Sequence, residues 1–274
     1  MTDLANDNPW FRRYAPCPEN GLRLLCFPHA GGSASSFLWL CKKLSPALDA
    51  VAVQYPGRQD RYREPHFGTI QQLAGQIVDN LGAVADRPLA LFGHSMGAVT
   101  AFEVARRLEH TNGTSPVVLF VSGRRAPSVR REDRVHQRDD RGLIAEIKAL
   151  GGTDSRLLAD EEILSMVLPT VRADYRAIET YRYAPGPAVS CPIVALTGDE
   201  DPRASIDDVT LWAEHTTGEF DLHVLRGGHF FLNEQPQQVT RVVTERLAGQ
   251  LASCSPCERG PDPATGRVRS GCVM

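Results

Sequence analysis

Leu89-Ala90-Leu91-Phe92-Gly93-His94-Ser95-Met96-Gly97-Ala98 is the stretch from which the rest of the chain can be read. Its first four residues form an apolar run of strand length, and Val99, Phe102, Ala105 and Arg106 after it carry a helix. The serine between them stands in a G-x-S-x-G pattern, which a turn requires when it is so tight that side chains at the flanking positions would collide. Such a turn leaves the serine Oγ exposed at the N-terminus of the following helix. Glycines alone could mark any strand-to-helix turn. The strand before and the helix after make Ser95 the candidate nucleophile.

Outward from this turn, short β-branched and apolar runs at 22–27, 51–53, 89–92, 117–121, 193–197 and 222–225 read as strands. Helical spacing separates them: Phe37, Leu40, Leu44 and Leu48 recur on one face, as do Ile70, Leu73, Ile77 and Leu81. The β-α-β-α order predicts an α/β architecture, a mainly parallel sheet with helices on both faces. One stretch, 124–189, breaks the rhythm with a basic loop and helical segments but no strand, and an insertion of this kind is where a lid sits. Its opening, 124–141, carries seven arginines against four acids and reads as an exposed positive patch rather than core. Residues 1–251 are expected to form a single domain containing this insertion. Residues 252–274, dense in Pro, Gly and Ser and without periodicity, read as a disordered tail.

The 274 residues, 42% of them hydrophobic, suffice for one large core. Thirty Lys and Arg against 33 Asp and Glu give a net charge of -3, which argues against nucleic acid or an anionic membrane as partner. The N-terminus lacks the basic and apolar regions of a signal peptide, and no apolar run reaches the length of a membrane span. A cytoplasmic protein is expected, and seven cysteines, an odd and scattered set, fit free thiols in a reducing compartment. Cys254-Ser255-Pro256-Cys257 has half the spacing of a zinc site with no second pair, and Cys272 lies one residue short of a prenylation box. No metal and no bound cofactor is expected.

Serine is a weak nucleophile and needs a base that a third group orients. Where this turn serves catalysis the chain order is serine, acid, histidine, with the acid and the histidine each after a late strand. The run 193–197 leads into Gly198-Asp199-Glu200-Asp201, and 222–225 leads into Arg226-Gly227-Gly228-His229. Of eight histidines, His229 alone ends a late strand behind two glycines; His223 lies within a strand, and the turn directs His94 away from Oγ. Asp199 and Asp201 compete for the acid role, and Asp201, three residues beyond the glycine, reaches further around the turn. Attack on an acyl carbon also requires hydrogen-bond donors for the oxyanion. Met96 N–H, first in the helix, is one candidate, and Ala30 N–H, in the glycine-rich loop after the first strand, is the other.

With these elements in place the chain resembles the stand-alone type II thioesterases of modular polyketide and nonribosomal peptide synthases, over roughly residues 10–251. The motifs that carry the resemblance are Phe27-Pro28-His29-Ala30-Gly31-Gly32, Gln54-Tyr55-Pro56-Gly57-Arg58, Gly93-His94-Ser95-Met96-Gly97-Ala98 and Gly227-Gly228-His229-Phe230-Phe231-Leu232. The resemblance implies an α/β-hydrolase fold and a helical lid at 124–189. It implies hydrolysis of acyl or aminoacyl thioesters from the phosphopantetheine arm of acyl or peptidyl carrier proteins, which edits stalled assembly lines; a monomer is expected. The family's triad falls on Ser95, Asp201 and His229, and its oxyanion donors on Ala30 and Met96. The arm belongs to the substrate. Two rivals share these residues: an oxygen-ester lipase or esterase, and a non-catalytic binding protein on a hydrolase scaffold.

Overall fold

The computed structural model describes residues 8–16, 21–151 and 160–253. Its elements in order are β1 (Phe11–Arg13), β2 (Arg23–Phe27), α1 (Leu38–Leu44), β3 (Asp49–Val53), α2 (Ile70–Asp79), β4 (Leu89–His94), α3 (Met96–Asn112), β5 (Val118–Ser122), α4 (Asp140–Leu150), α5 (Glu161–Glu179), β6 (Ile193–Gly198), α6 (Ile206–Thr210), β7 (Phe220–Leu225), α7 (Phe231–Glu234) and α8 (Pro236–Ser253). The seven strands form one sheet in the order β1-β3-β2-β4-β5-β6-β7. All pair in parallel except β1, which runs antiparallel to β3 with Phe11 opposite Val53.

Alternation along buried strands sends successive side chains to opposite faces. Leu25, Val51, Leu91, Leu119 and Ile193 point to one side and pack with Ile70, Leu73 and Ile77 of α2 and Val99 and Phe102 of α3. Leu24, Ala52, Phe92, Phe120 and Val194 point to the other and meet Leu40 and Leu44 of α1 and Val239, Val243 and Leu247 of α8. These central strands are buried at every position, as a sheet covered on both faces requires.

Four differences from the sequence reading have physical causes. Strand β1 escapes the pattern because Phe11-Arg12-Arg13 has a single apolar side chain, and only pairing with β3 makes it a strand. Leu48 lies beyond α1, which stops at Leu44 because Ser45 precedes Pro46 and is extended. Helix α8 runs to Ser253, past the expected end at 251; the remainder of the expected tail, 254–274, lies outside the described residues. The basic stretch 124–141 is not uniformly exposed: Arg125 is 5% exposed, because its guanidinium pairs with Asp133 rather than with solvent. No helix among the described residues is long and apolar enough to cross a membrane.

The insertion between β5 and β6 carries α4 and α5 and has its own small apolar cluster of Val135, Leu143, Leu168 and Val171. Asp139 caps α4 by accepting from Gly142 N–H, and Gly151 closes it in the left-handed conformation.

Candidate active site

The turn between β4 and α3 holds Ser95 at φ 55° and ψ -116°, outside the ordinary range for a residue with a Cβ. A strain of about 1–3 kcal/mol is typical of such a conformation and persists only where the surroundings over-determine it. Here Ser95 N–H donates to Ser122 O on β5 at 2.8 Å, and Ala98 N–H donates to Ser95 O at 3.0 Å. The glycines are sterically obligatory. A Cβ on Gly93 would lie 2.2 Å from Gly97 O, and one on Gly97 would lie 1.9 Å from Phe27 O on β2.

From the ends of the two last strands come the partners. His229 Nε2 is 3.0 Å from Ser95 Oγ, and its Nδ1 is 2.9 Å and 3.0 Å from the two carboxylate oxygens of Asp201. With Nδ1–H donating to Asp201, Nε2 is left to accept from the serine hydroxyl. Asp201 and His229 are 7% and 4% exposed, so water competes little for these bonds. Arg203 N–H donates to Asp201 Oδ1 at 2.8 Å and fixes the carboxylate from behind. The competing Asp199 is exposed and does something else: its Oδ1 accepts from Gly227 N–H at 2.8 Å, tying the end of β6 to the turn that delivers His229.

His94 faces away from Ser95 Oγ, with its Nδ1 3.0 Å from Ser122 Oγ and its ring 5.2 Å from that of His229. Burial, followed by the nearby His229, holds both His94 and His29 well below the usual imidazole range, so both rings are neutral neighbours of the site.

The loop 28–32 runs over the N-terminus of α3 and brings Ala30 into the cleft that Ser95 and His229 line. Met96 is the first residue of α3, where a backbone N–H has no intrahelical acceptor. The loop is clamped by residues that sequence reasoning gave no role. Arg58 donates to Gly32 O at 2.7 Å and makes a two-pronged ion pair with Asp174 of α5, both prongs 2.9 Å; Asp174 in turn accepts from Gly31 N–H at 2.7 Å. Arg58 belongs to one of the quoted motifs, but Asp174 lies 116 residues further along and carries no local mark.

The cleft itself is about 50 Å³ and is lined on its far side by Arg124, Arg125, Asp133 and Arg203. It adjoins a chamber of about 330 Å³ walled by Ala30, Leu150, Leu168, Val171, Tyr175 and Phe230, under α4 and α5. Among the described residues no group of three or more His, Cys, Asp and Glu side chains is arranged to hold a metal ion.

A mainly parallel sheet with a strained serine turn after its central strand, and acid and histidine at the ends of later strands, defines an α/β hydrolase. A family model described as the thioesterase domain matches residues 22–247, and the chain belongs to that family. It is 47% identical over 256 residues to the thioesterase PikA5 of Streptomyces venezuelae, an alignment covering 90% of this chain and 89% of the relative. Among solved structures it is similar to the type II thioesterase BorB from the borrelidin biosynthetic cluster, with TM-score 0.82 and 47% identity over 87% of this chain and 97% of that one. It is also similar to RedJ, the thioesterase of the prodiginine pathway in Streptomyces coelicolor, with TM-score 0.80 and 38% identity over 85% and 88%.

Proposed function

We propose that this thioesterase hydrolyses acyl or aminoacyl groups held as thioesters on the phosphopantetheine arm of carrier proteins, clearing stalled polyketide or nonribosomal peptide assembly lines. The observation that carries the chemistry is the unbroken hydrogen-bond chain from Ser95 Oγ through His229 to Asp201. Ser95 attacks the thioester carbonyl while His229 Nε2 takes its proton, and Asp201 stabilises the imidazolium and keeps its orientation. The N–H groups of Ala30 and Met96 stabilise the oxyanion, each good donor contributing about 3 kcal/mol to the transition state. The thiol departs with the proton from His229, a modest demand because its pKa is about 8.5. Water then gives its proton to His229, attacks the acyl-serine and releases the acid. The arm is part of the substrate, and the chemistry needs no cofactor of the enzyme's own.

The family relatives support the substrate class, and the helical insertion over the apolar chamber supports its role as a lid. Buried thiols at Cys26, Cys41 and Cys191 support a reducing, cytoplasmic setting.

The test compares one acyl group on a carrier protein, on coenzyme A and as an oxygen ester. We expect kcat/KM to fall in that order, with Ser95→Ala abolishing both turnover and labelling by a fluorophosphonate. A preference for the oxygen ester would make this an esterase, and absence of both labelling and turnover in the wild type would leave only a binding protein.

A further inference from the structure

The second half of the reaction needs water at His229 Nε2 while the acyl group is still on Ser95, and the cleft that these residues line holds only about 50 Å³. Water that arrives by the path of the arm competes with the departing thiol, which recaptures the acyl group by the reverse of the first step. A separate supply would turn that competition towards hydrolysis.

A cavity of about 140 Å³, with room for several water molecules, adjoins the cleft and shares His29 and Phe230 with it. Its polar lining is completed by Ser36, His94 and Asn233. Asn233 is exposed and Ser36 half-buried, so one end opens to solvent, whereas His94 closes the other and is 0% exposed. His94 Nδ1 is engaged with Ser122 Oγ at 3.0 Å, and the same edge of the ring backs on Gly123, where a Cβ would lie 2.6 Å from His94 Cε1. Its Nε2 is left buried without a partner, although an imidazole nitrogen withdrawn from water needs one.

Two rings separate this cavity from the cleft. His29 and Phe230 meet edge to face, with centroids 4.8 Å apart and planes at 79°. Both are only partly buried, and a rotamer change at such a ring is far faster than turnover. Burial pushes His29 down to about 3 and holds His94 below the usual imidazole range as well. Both rings therefore stay neutral when His229 is protonated, and they can pass water without adding charge beside its imidazolium.

We propose that this cavity is a water-supply site with His94 as the positioning residue at its base, filled past Asn233 and opening to the acyl-enzyme between His29 and Phe230. This rests on the thioester-hydrolase reading and adds the origin of its second substrate. In the step it serves, the water oxygen bonds to the acyl carbon while its proton goes to His229 Nε2. The bond from that carbon to Ser95 Oγ then breaks, Oγ takes the proton back, and the carboxylic acid leaves. Water suits the cavity and an anion does not, because no Lys or Arg lines it.

The experiment offers the propionyl-enzyme two acceptors that arrive by different paths. Propionyl-coenzyme A is turned over with N-acetylcysteamine, which copies the end of the arm and follows its route, and the ratio of propionyl-N-acetylcysteamine to propionate is read at early times. Asn233→Phe, which closes the mouth, should raise this ratio about 10-fold at an unchanged rate of first thiol release, so that propionyl-Ser95 accumulates in intact-protein mass spectra. His94→Phe, which keeps a ring at the base without Nε2, should raise it too, and Asn233→Ala, which widens the mouth, should not. A ratio that stays at the wild-type value in Asn233→Phe overturns the supply, and one unmoved in His94→Phe overturns the part given to His94. A rise in Asn233→Ala would assign the effect to loss of the amide and overturn the route. Only active molecules set the ratio, so it is readable even where a variant folds poorly. Wild-type protein that yields neither product would count against the thioesterase reading itself, whereas hydrolysis with the ratio unmoved counts against the water supply alone.

Discussion

The sheet and the insertion that covers its C-terminal edge are held by apolar packing and ion pairs in different proportions. The sheet is packed on both faces by two large apolar clusters, and the turn at Ser95 is fixed by backbone contacts so close that no side chain fits at Gly93 or Gly97. The insertion has four buried apolar residues in a cluster of its own and lends Ala126, Ala177 and Ile178 to the sheet's core, and ion pairs also tie it to the rest: Arg58 with Asp174, Arg203 with Glu146, and Arg131 with Asp208. Apolar packing is not screened by salt and resists displacement, whereas the more exposed of the ion pairs, such as Arg131 with Asp208, are screened and contribute little each. A rigid floor bearing Ser95, under a cover attached by a few apolar contacts and several ion pairs, is suited to opening and then excluding water.

The sharpest way to break this contrast lies in the floor. Asp201→Asn should lower kcat about 10⁴-fold by misorienting His229, with little change in the denaturation midpoint. Asp199→Asn, which loosens only the bond to Gly227 N–H, should cost far less. The reverse ranking in steady-state assays would transfer the acid role to Asp199.

The next largest effect belongs to a buried joint between floor and cover. Asp174→Asn should destabilise the protein by about 3–5 kcal/mol, since it leaves Arg58 buried and unpaired. Because Asp174 also holds Gly31 N–H, kcat/KM should fall as well. The pair Arg58→Met with Asp174→Leu should recover stability in denaturant titrations without recovering activity. Recovery of both would show that the clamp serves packing only.

A smaller effect is expected at the outer surface of the insertion. Arg130 and Arg134 are exposed, and Arg131 is partly engaged with Asp208 at 2.5 Å. Replacing the three with Ala should lower kcat/KM for a carrier-bound substrate several-fold at low salt, with the difference vanishing at high salt. A loss that persists at high salt, or appears equally with a small thioester, would point to a weakened cover rather than to steering.

The smallest effect concerns the seam at His215, whose Nε2 is 3.0 Å from Ser128 Oγ in the insertion. Burial, with Arg106 adding to it, lowers the pKa of His215 to about 4. Below about pH 6.5 the unfolded chain takes up a proton that the folded chain refuses, so stability falls as the pH drops from 6.5 towards 4 and is fully present above that window. His215→Gln should flatten the dependence of Tm on pH across this interval relative to wild type.

Much of the floor is legible in the sequence because its determinants are local. Short β-branched and apolar runs mark the strands, and a serine in a G-x-S-x-G pattern, with a strand before and a helix after, marks a turn whose strain is specified within five residues. Two glycines before His229 mark the delivery of a histidine at a strand end. The choice between Asp199 and Asp201 depends on how β6 and β7 twist past each other: one carboxylate ends at an imidazole and the other at a backbone N–H, although they stand two residues apart. The same holds for Asp174, whose partners lie 116 and 143 residues away, and for Arg124 and Arg125, which read as solvated charge and instead turn toward the cleft. Charge composition gives the number of arginines in a loop; which of them finds a carboxylate, and which lines the cleft beside Ser95, is decided only when distant segments compete for the same counter-ions in the folded chain.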